Sequence, residues 1–456
     1  MTPATFRNFV LGLIGWLALP QCPAETETKS GVVLPRQLAL QTALVLALDH
    51  SPFIREVRAQ IREQEGVLIV ARAERLPRLD GVSNYDVNGR GRIEGFGDIV
   101  VADQQGWTMD VQLSHVLYSG GARIANQKSA KARVQAAESR MRTVVDTVLL
   151  ETYRNYFDGL LARQRIAVQE DAVSVLDRQL QTAKAGYEAG SKPQFDVLQA
   201  EVALANARPP VIRARNDYRL AIDRLRRSIG VPYEEGCDAD GVSLSQSWPN
   251  PKVNEELGDL LLQGLGNRPE LAQIAEEIKA AKADIKAAES VHLPRVELFG
   301  TYGAQSLRFR GDAGESIDGA TGGVRVVVPF IDLGRTRGQV VQASARLAQI
   351  EAVEERQRLD IEGEVRQAFF DYDEASQILE TSQLVVKQAS EALRLAQNRF
   401  EAGALTQLEI LQSRLELTRA QLEEVQSLHT YNVAVARLRQ AVGTISRTVQ
   451  ADSDPE

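Results

Sequence analysis

The turn sequence Tyr187-Glu188-Ala189-Gly190 recurs in the second half of the chain as Phe400-Glu401-Ala402-Gly403. Closer to the N-terminus, Leu76-Pro77-Arg78 recurs as Leu293-Pro294-Arg295, and a single short gap between the two motifs aligns the halves. Each aligned residue of one half thus has a counterpart in the other. Solenoid units are much shorter, roughly 20 to 50 residues. The sequence therefore indicates two equivalent halves joined in tandem.

A very long helix is predicted before each turn. Between Gly121 and Gly159 there is no proline or glycine, and helical character continues to Tyr187. About 65 residues at 1.5 Å per residue make a helix roughly 100 Å long. The second half repeats this pattern from about Arg335 to Phe400. Because such a helix cannot be buried in one globular core, it must pack along its length against other helices.

After each turn a return helix is predicted. Gly190 and Gly403 lie where a helix C-terminal glycine belongs. Ser191-x-x-Gln194 and Thr406-x-x-Glu409 match the capping-box pattern. A coiled-coil seam with alternating three- and four-residue spacing follows, formed by Leu408, Leu411, Leu415, Thr418, Leu422 and Val425. Each half is thus predicted to form an antiparallel helical hairpin, with Pro209-Pro210 breaking or kinking the first return helix only.

The repeat also predicts the domain organisation. We expect a signal peptide at 1–24, a first repeat at 25–230, a linker or equatorial segment at 231–265, a second repeat at 266–443 and a C-terminal tail at 444–456. Each repeat begins with a shorter helix, from about Gln37 to Glu74 in the first and from about Pro269 to Glu289 in the second. Prolines shortly after these segments end both helices.

Strand pairs are predicted between the short and the long helix of each half. Residues 107–114 alternate apolar and polar side chains, which is typical of a half-exposed strand. We predict β-hairpins at 79–118 and 295–330, with glycine-rich loops at about Asn88 to Gly106 and Ala304 to Gly323. The fold class is therefore mainly α with a smaller β part.

Four strands with an apolar outer face leave two open edges, so closure requires other chains. Three chains would supply 12 strands, an even number within the range of transmembrane barrels. Aromatic residues suited to a membrane-interface girdle lie along the strands or near their ends: Tyr85, Trp107, Tyr118, Phe299, Tyr302 and Phe330. The alternative is a small soluble sandwich whose apolar faces pack together.

The N-terminal residues predict export. Arg7 and the apolar run from Phe9 to Leu19 are typical of a secretory signal peptide, with cleavage expected after Ala24. Lipidation of Cys22 is the alternative. Cleavage removes Arg7, so the formal charge changes from −8 to −9, since −8 − 1 = −9. Only Cys237 then remains, and no intramolecular disulfide can form.

Enzyme chemistry is not indicated. The four histidines are scattered, and one cysteine cannot form a zinc site, so we expect no catalytic, cofactor-binding or metal site. The formal net charge of −8 leaves no basic excess to neutralise phosphates, which excludes nucleic acid as a partner. The remaining classes of function are an export channel, a periplasmic coiled-coil scaffold without a channel, and a periplasmic enzyme.

Several paired segments resemble those of the TolC-like outer-membrane efflux proteins. They are the Leu-Pro-Arg segments, the Glu-Ala-Gly turns, and Tyr118-Ser119-Gly120-Gly121 with Ile331-Asp332-Leu333-Gly334. The resemblance implies a homotrimer with a 12-stranded barrel among outer-membrane lipids and a periplasmic α-barrel. It also implies docking to a periplasmic adaptor (membrane fusion) protein and an inner-membrane transporter. The implied function is passive export of small molecules or proteins by a tripartite efflux or type I secretion system.

The resemblance further implies a gate at the hairpin turns. In the family, the second turn can carry a tyrosine, a basic residue and one or two acidic rings, and this chain has Phe400, Leu405, Glu409 and Gln412 there. The first turn has Tyr187, Lys192 and Asp196. A ring of Glu409 would make the closed end prefer cations. The alternative is that Glu409 only caps its helix.

Overall fold

The computed structural model describes residues 37–88, 104–191, 193–232, 242–244, 248–306, 317–402 and 404–447. The chain divides into two compact units. One, here called the strand unit, includes residues 65–132 and 279–348. The other, the helical unit, includes residues 133–278 and 349–456 together with 32–64.

The helices are α1 Leu40–His50, α2 Pro52–Ala73, α3 Ala122–Glu188, α4 Gln194–Ile229, α5 Leu257–Asn267, α6 Pro269–Glu289, α7 Arg335–Glu401 and α8 Gln407–Ala441. The two predicted long helices, α3 and α7, contain 67 residues each. Among the described residues, no helix is both long enough and apolar enough to cross a membrane.

Two expectations about the shorter helices need correction. The single helix predicted from Gln37 to Glu74 is divided at Ser51, whose ψ of 127° is not helical. Pro52 causes this break, because the residue before a proline disfavours helical backbone angles. In addition, α5 begins inside the segment that was predicted to be a linker.

The sequence predicts a break or a kink at Pro209-Pro210, and the break is wrong, because α4 is one uninterrupted helix. The two prolines lack the N–H groups that would bond the carbonyls of Ala205 and Asn206. Ala205, Asn206 and Pro209 are all exposed, so water can satisfy these carbonyls. The helix therefore tolerates the loss of two backbone hydrogen bonds.

The capping box predicted at Ser191 is also wrong. α4 begins at Gln194 with Pro193 at its N-cap, and no side chain bonds to this cap. A box at Ser191 would require helical backbone immediately before Pro193, which proline disfavours. Instead, the N–H and the hydroxyl of Ser191 both donate to the carbonyl of Gly186, each at 2.9 Å. Ser191 thus closes the end of α3, where Gly190 has the expected positive φ of 71°.

The strands are β1 Gln37–Leu38, β2 Arg78–Asn88, β3 Gln104–Ser119, β4 Ser243–Leu244, β5 Arg295–Ser306 and β6 Ile317–Val327. β1 and β4 form a short parallel pair. The other four form an antiparallel sheet in the order β2-β3-β5-β6. The loop predicted from Ala304 to Gly323 is too long, because its glycine-rich end belongs to β6. Gly322 and Gly319 pair there with Gly300 and Gly303 of β5, whose backbone supplies the ladder bonds.

The core of the helical unit has two equivalent parts. In the first, buried side chains of α1, α3 and α4 surround Tyr156, whose hydroxyl donates to the carbonyl of Leu38 at 3.1 Å. In the second, Ile361 of α7 and Leu438 of α8 pack against α5. These two residues are the counterparts of Val148 and Leu225 in the first core. The duplication therefore extends from sequence motifs to core packing.

A buried carboxyl in this unit makes stability depend on pH. Asp146 is 7% exposed. Desolvation raises its pKa to about 6, and Glu270 adds to this shift while the Ser446 hydroxyl and Arg268 oppose it. Since the unfolded pKa is about 4, ionisation costs folding energy, and stability falls as the pH rises from about 4 to above 6.

We expect Asp146→Asn to raise the free energy of unfolding by about 2 kcal/mol at pH 8 and to leave it unchanged near pH 4. Thermal unfolding followed by circular dichroism at both pH values measures the difference. Glu151→Gln provides a control, because Glu151 is also acidic and lies on α3 but is exposed. An Asp146→Asn effect of equal size at both pH values would contradict this account.

Candidate membrane surface and gate

One face of the sheet in the strand unit is apolar across all four strands. The register pairs Tyr85 with Trp107 and Val111 with Tyr302, and paired residues project on the same side. This apolar face includes Leu79, Tyr85, Met109, Val111, Leu113, Tyr302, Val324 and Val326, which are between 37% and 64% exposed. The opposite face carries Asp80, Asp110, Gln112, Glu297, Thr301 and Arg325. A continuous exposed apolar surface of this kind marks a membrane or protein contact.

Aromatic residues lie at both ends of the apolar face. Tyr85 and Trp107 form a pair next to the loop ends of β2 and β3. At the other end of β3, a bulge leaves Leu117 unpaired and places Tyr118 opposite Val296 on the apolar face. The β5 partners of Trp107 and Tyr118, Ser306 and Val296, are ten residues apart, which is about 33 Å along the strand at 3.3 Å per residue. A tilt near 40° reduces this to about 25 Å, the height of the apolar band of outer-membrane barrels.

Three of the predicted girdle residues have other positions. Tyr302 lies opposite Val111, between the two aromatic ends of the face and not at either end. Phe299 lies on the polar face, because its partners across the sheet are Ser114 and Gly323. The guanidinium of Arg325 lies 5.2 Å from the centre of its ring. Phe299 therefore cannot belong to a girdle on the apolar face. Phe330 lies beyond the end of β6 and is 90% exposed.

In the helical unit, α3 and α8 run antiparallel and are joined side by side. Three side-chain pairs connect them: Asp158 with His429 at 2.7 Å, Arg165 with Gln426 at 2.7 Å, and Asp171 with Arg414 at 2.6 Å. The residue numbers rise on α3 as they fall on α8. Because α3 ends and α8 begins at a hairpin turn, both turns lie at the same end of this unit.

The two turns share their backbone geometry. The N–H of Ala404 donates to the carbonyl of Arg399 at 2.9 Å, as Ser191 does to Gly186. Of the predicted gate residues, Gln412 and Glu409 are exposed, Tyr187 is 48% exposed, and Asp196, Phe400 and Leu405 are half-buried. Lys192 and Gly403 lie outside the described residues.

The capping box predicted at Thr406 is confirmed. The carboxylate of Glu409 accepts the backbone N–H of Thr406 at 2.9 Å and the Thr406 hydroxyl at 2.8 Å. These bonds, the backbone one foremost, lower the pKa of Glu409 below its usual range. Glu409 is therefore an ionised carboxylate fixed at the turn at neutral pH.

The pairs between α3 and α8 could not have been found by sequence reasoning. Arg414 and Asp171 lie 243 positions apart, and neither belongs to a repeated motif. Within the part of the chain that the structure describes, no group of three or more metal-ligating side chains could hold a metal ion.

An apolar sheet face with aromatic ends and a pair of very long helical hairpins together define the class of outer-membrane channel proteins. The family model described as "Outer membrane efflux protein" matches residues 43–231 and 260–444, one segment in each half. The chain therefore belongs to the outer membrane efflux protein family.

Individual relatives and solved structures agree with this membership. The chain is 25% identical to the protein CyaE of Bordetella pertussis over 456 residues, covering 100% of this chain and 92% of the relative. It is 24% identical to the outer membrane efflux protein BepC of Brucella suis, covering 91% of this chain and 89% of the relative. The crystal structure of the CmeC outer membrane channel of Campylobacter jejuni has a TM-score of 0.75 at 16% identity, covering 91% and 89% of the two chains.

Proposed function

We propose that this chain is the passive outer-membrane export channel of a tripartite efflux or type I secretion system. Small molecules or proteins would pass through it from the periplasm, or from an inner-membrane pump, to the exterior. The observation that carries this proposal is the exposed apolar face of the sheet, about 25 Å high and bordered by aromatic residues at both ends. A periplasmic scaffold without a channel has no use for such a face.

The sheet itself supports closure by other copies. β2 and β6 are its two free edges, and three antiparallel pairings separate them. β6 of one copy therefore runs antiparallel to β2 of the next and can continue the same ladder. Three copies of the four-stranded sheet would give 12 strands, an even number within the range of transmembrane barrels. We infer a homotrimer whose apolar face contacts outer-membrane lipid.

The helical unit supports the same assembly. Its long helices lie in the order α4-α3-α8-α7, so α4 and α7 are at the two sides. Arg165 and Asp171 of α3 contact α8. Their counterparts on α7 are Ile378 and Leu384, which are 43% and 54% exposed. Exposed apolar residues on α4 include Leu198, Val202 and Ile212. In the proposed trimer, α7 packs on α4 of the next copy through apolar contacts, whereas the pairs between α3 and α8 are polar.

The turn end of the helices is the proposed gate and docking end. A periplasmic adaptor and an inner-membrane transporter would engage the channel there. We assign gating to Tyr187, Gly190, Lys192 and Asp196 of the first turn, and to the second-turn residues Phe400, Gly403, Leu405, Glu409 and Gln412. Tyr85, Trp107 and Tyr118 would form the girdle, with Phe330 beyond its periplasmic side, whereas Tyr302 lies opposite Val111 between the two ends of the face.

Glu409 gives the gate proposal a test. Replacing Glu409 with glutamine removes a fixed negative charge from each copy, so we expect the cation preference of the channel to fall severalfold. Reversal potentials of single channels in planar bilayers under a salt gradient measure this preference. Glu355→Gln is the matched control, because Glu355 is an exposed carboxylate on α7 far from the turn, and its loss should leave the cation preference unchanged. If the ion selectivity of Glu409→Gln is unchanged, the Glu409 carboxylate only caps its helix and does not set the cation preference of the gate.

The channel proposal is tested first by envelope fractionation. We expect the protein in the outer-membrane fraction, where it would migrate as a trimer on a denaturing gel if unboiled and as a monomer after boiling. A monomer recovered from the periplasm without detergent would overturn the proposal. An outer-membrane monomer without conductance would instead favour a scaffold.

A further inference from the structure

The turn between β6 and α7 exposes an apolar group. Phe330, Ile331 and Leu333 are 90%, 83% and 96% exposed. Leu333 has a φ of 51°, in the left-handed region that leucine adopts only at an energetic cost. The Asp332 carboxylate fixes this turn by accepting the N–H of Gly334 at 3.1 Å and that of Thr336 at 3.0 Å. The Thr336 hydroxyl foremost, followed by these two backbone N–H groups, lowers the pKa of Asp332 to about 2, so the carboxylate is ionised and keeps these bonds at neutral pH.

The first half contains the same turn, between β3 and α3, and there the turn contacts another segment of the same chain. Gly120 is the counterpart of Leu333, and its φ of 64° matches. A β-carbon on Gly120 would be 2.7 Å from the Cβ of Leu293 and 2.8 Å from the carbonyl oxygen of Ser290. The first turn therefore packs directly on the segment that leads into the second β-hairpin.

The corresponding neighbour of the second turn has to come from another copy. Leu76 is the counterpart of Leu293 and leads into the first β-hairpin in the same way. It is 65% exposed, whereas Leu293 is 38% exposed. Since β6 and β2 are the free edges of the sheet, continuing the ladder brings the turn of one copy to Leu76 of the next.

We propose that Leu333 of one copy docks against Leu76 of the adjacent copy, in the relation that Gly120 has to Leu293 within the chain. This inference rests on the proposed channel assembly and names one contact in it. The exchange of glycine for leucine has a structural consequence. Between Gly120 and Leu293 there is no room for a β-carbon. The turn that carries Leu333 therefore lies further from Leu76 of the adjacent copy than Gly120 lies from Leu293. The leucine side chain fills that gap.

Disulfide formation tests the contact. The Leu76→Cys, Leu333→Cys double variant is made with Cys237→Ser, and the predicted cleavage after Ala24 would remove the other cysteine, Cys22. After oxidation of intact envelopes, we expect crosslinked dimers and trimers on a boiled, non-reducing gel. A reducing agent should cleave the disulfides and return the protein to monomers. The two single-cysteine variants are the controls and should remain monomeric after boiling.

Each other outcome has a distinct meaning. If unboiled trimers form without a crosslink, the contact is wrong and the channel proposal stands. If Leu333→Cys alone crosslinks, two copies of Leu333 face each other and the proposed pairing is again wrong. If the parent protein forms no trimer, the channel proposal itself fails.

A second variant covers the case in which the double variant does not fold. Leu333→Gly relieves the backbone cost of the turn but empties the gap between copies, so we expect the trimer to dissociate at a lower temperature than the parent. Leu262→Ala is the control, because Leu262 is 72% exposed and lies on α5. If Leu333 instead faced lipid or water, the dissociation temperature of Leu333→Gly would be unchanged or higher, which would overturn the proposal.

Discussion

Replacing Val111 with arginine is expected to prevent stable insertion into the outer membrane. Val111 lies on the apolar face between Trp107 and Tyr118 and is 40% exposed. An arginine on the lipid face near the bilayer midplane costs about 2–4 kcal/mol. Three copies raise this cost to about 6–12 kcal/mol per trimer. We expect at least about a tenfold loss of trimer from the outer-membrane fraction, since 1.4 kcal/mol corresponds to a factor of ten.

The neighbouring residue provides a matched control for this prediction. Gln112 pairs with Asp80 and Thr301 on the polar face. Gln112→Arg adds the same side chain one position away but projects it from the opposite side of the sheet. It should insert normally and change only ion conduction. If the two variants lost trimer equally, lipid would not contact the apolar face alone, and the prediction would be wrong.

Truncation of Phe157 is expected to cause the largest loss of folding stability. Phe157 is 1% exposed and packs against the Trp248 ring, with the ring centroids 5.7 Å apart. Its ring also meets Tyr156 edge-on at 6.3 Å. Large-to-small changes of this kind leave a cavity and cost about 3–5 kcal/mol. Phe157→Ala should therefore lower the thermal unfolding temperature measured by circular dichroism.

The internal duplication supplies the control for this variant too. Phe370 is the counterpart of Phe157 on α7 and is 57% exposed. Phe370→Ala removes the same ring from the equivalent helix, and we expect it to cost the single chain, measured after dissociation of the trimer, less than about 1 kcal/mol. If Phe370→Ala were the more destabilising variant, the assignment of the main core to the first half would be wrong.

Much of the fold follows from local sequence, because long helices and alternating strands are determined by neighbouring residues. The absence of proline and the scarcity of glycine predicted α3 and α7 closely. The predictions were wrong where the effect of a proline depends on the residues around it. Pro52 divided a helix, Pro193 displaced a cap, and Pro209-Pro210 left α4 intact because solvent satisfies the freed carbonyls.

The candidate site was less predictable, because it depends on register and on contacts distant in sequence. Alternation identified the apolar side of β3, but pairing was needed to place Phe299 on the polar face. The bulge that turns Tyr118 toward the apolar face has no obvious sequence pattern. Of the seam predicted on α8, Leu408 and Leu415 are 48% and 60% exposed in the single chain. The proposed assembly would give such residues their partners.

The central claim is that the strands line a membrane-spanning pore. The most direct measurement is the conductance of the purified trimer in a planar lipid bilayer. We predict discrete, stepwise increases in current that persist without nucleotide, because the channel is passive. Correctly inserted trimers that carry no ionic current under any applied voltage would contradict the account.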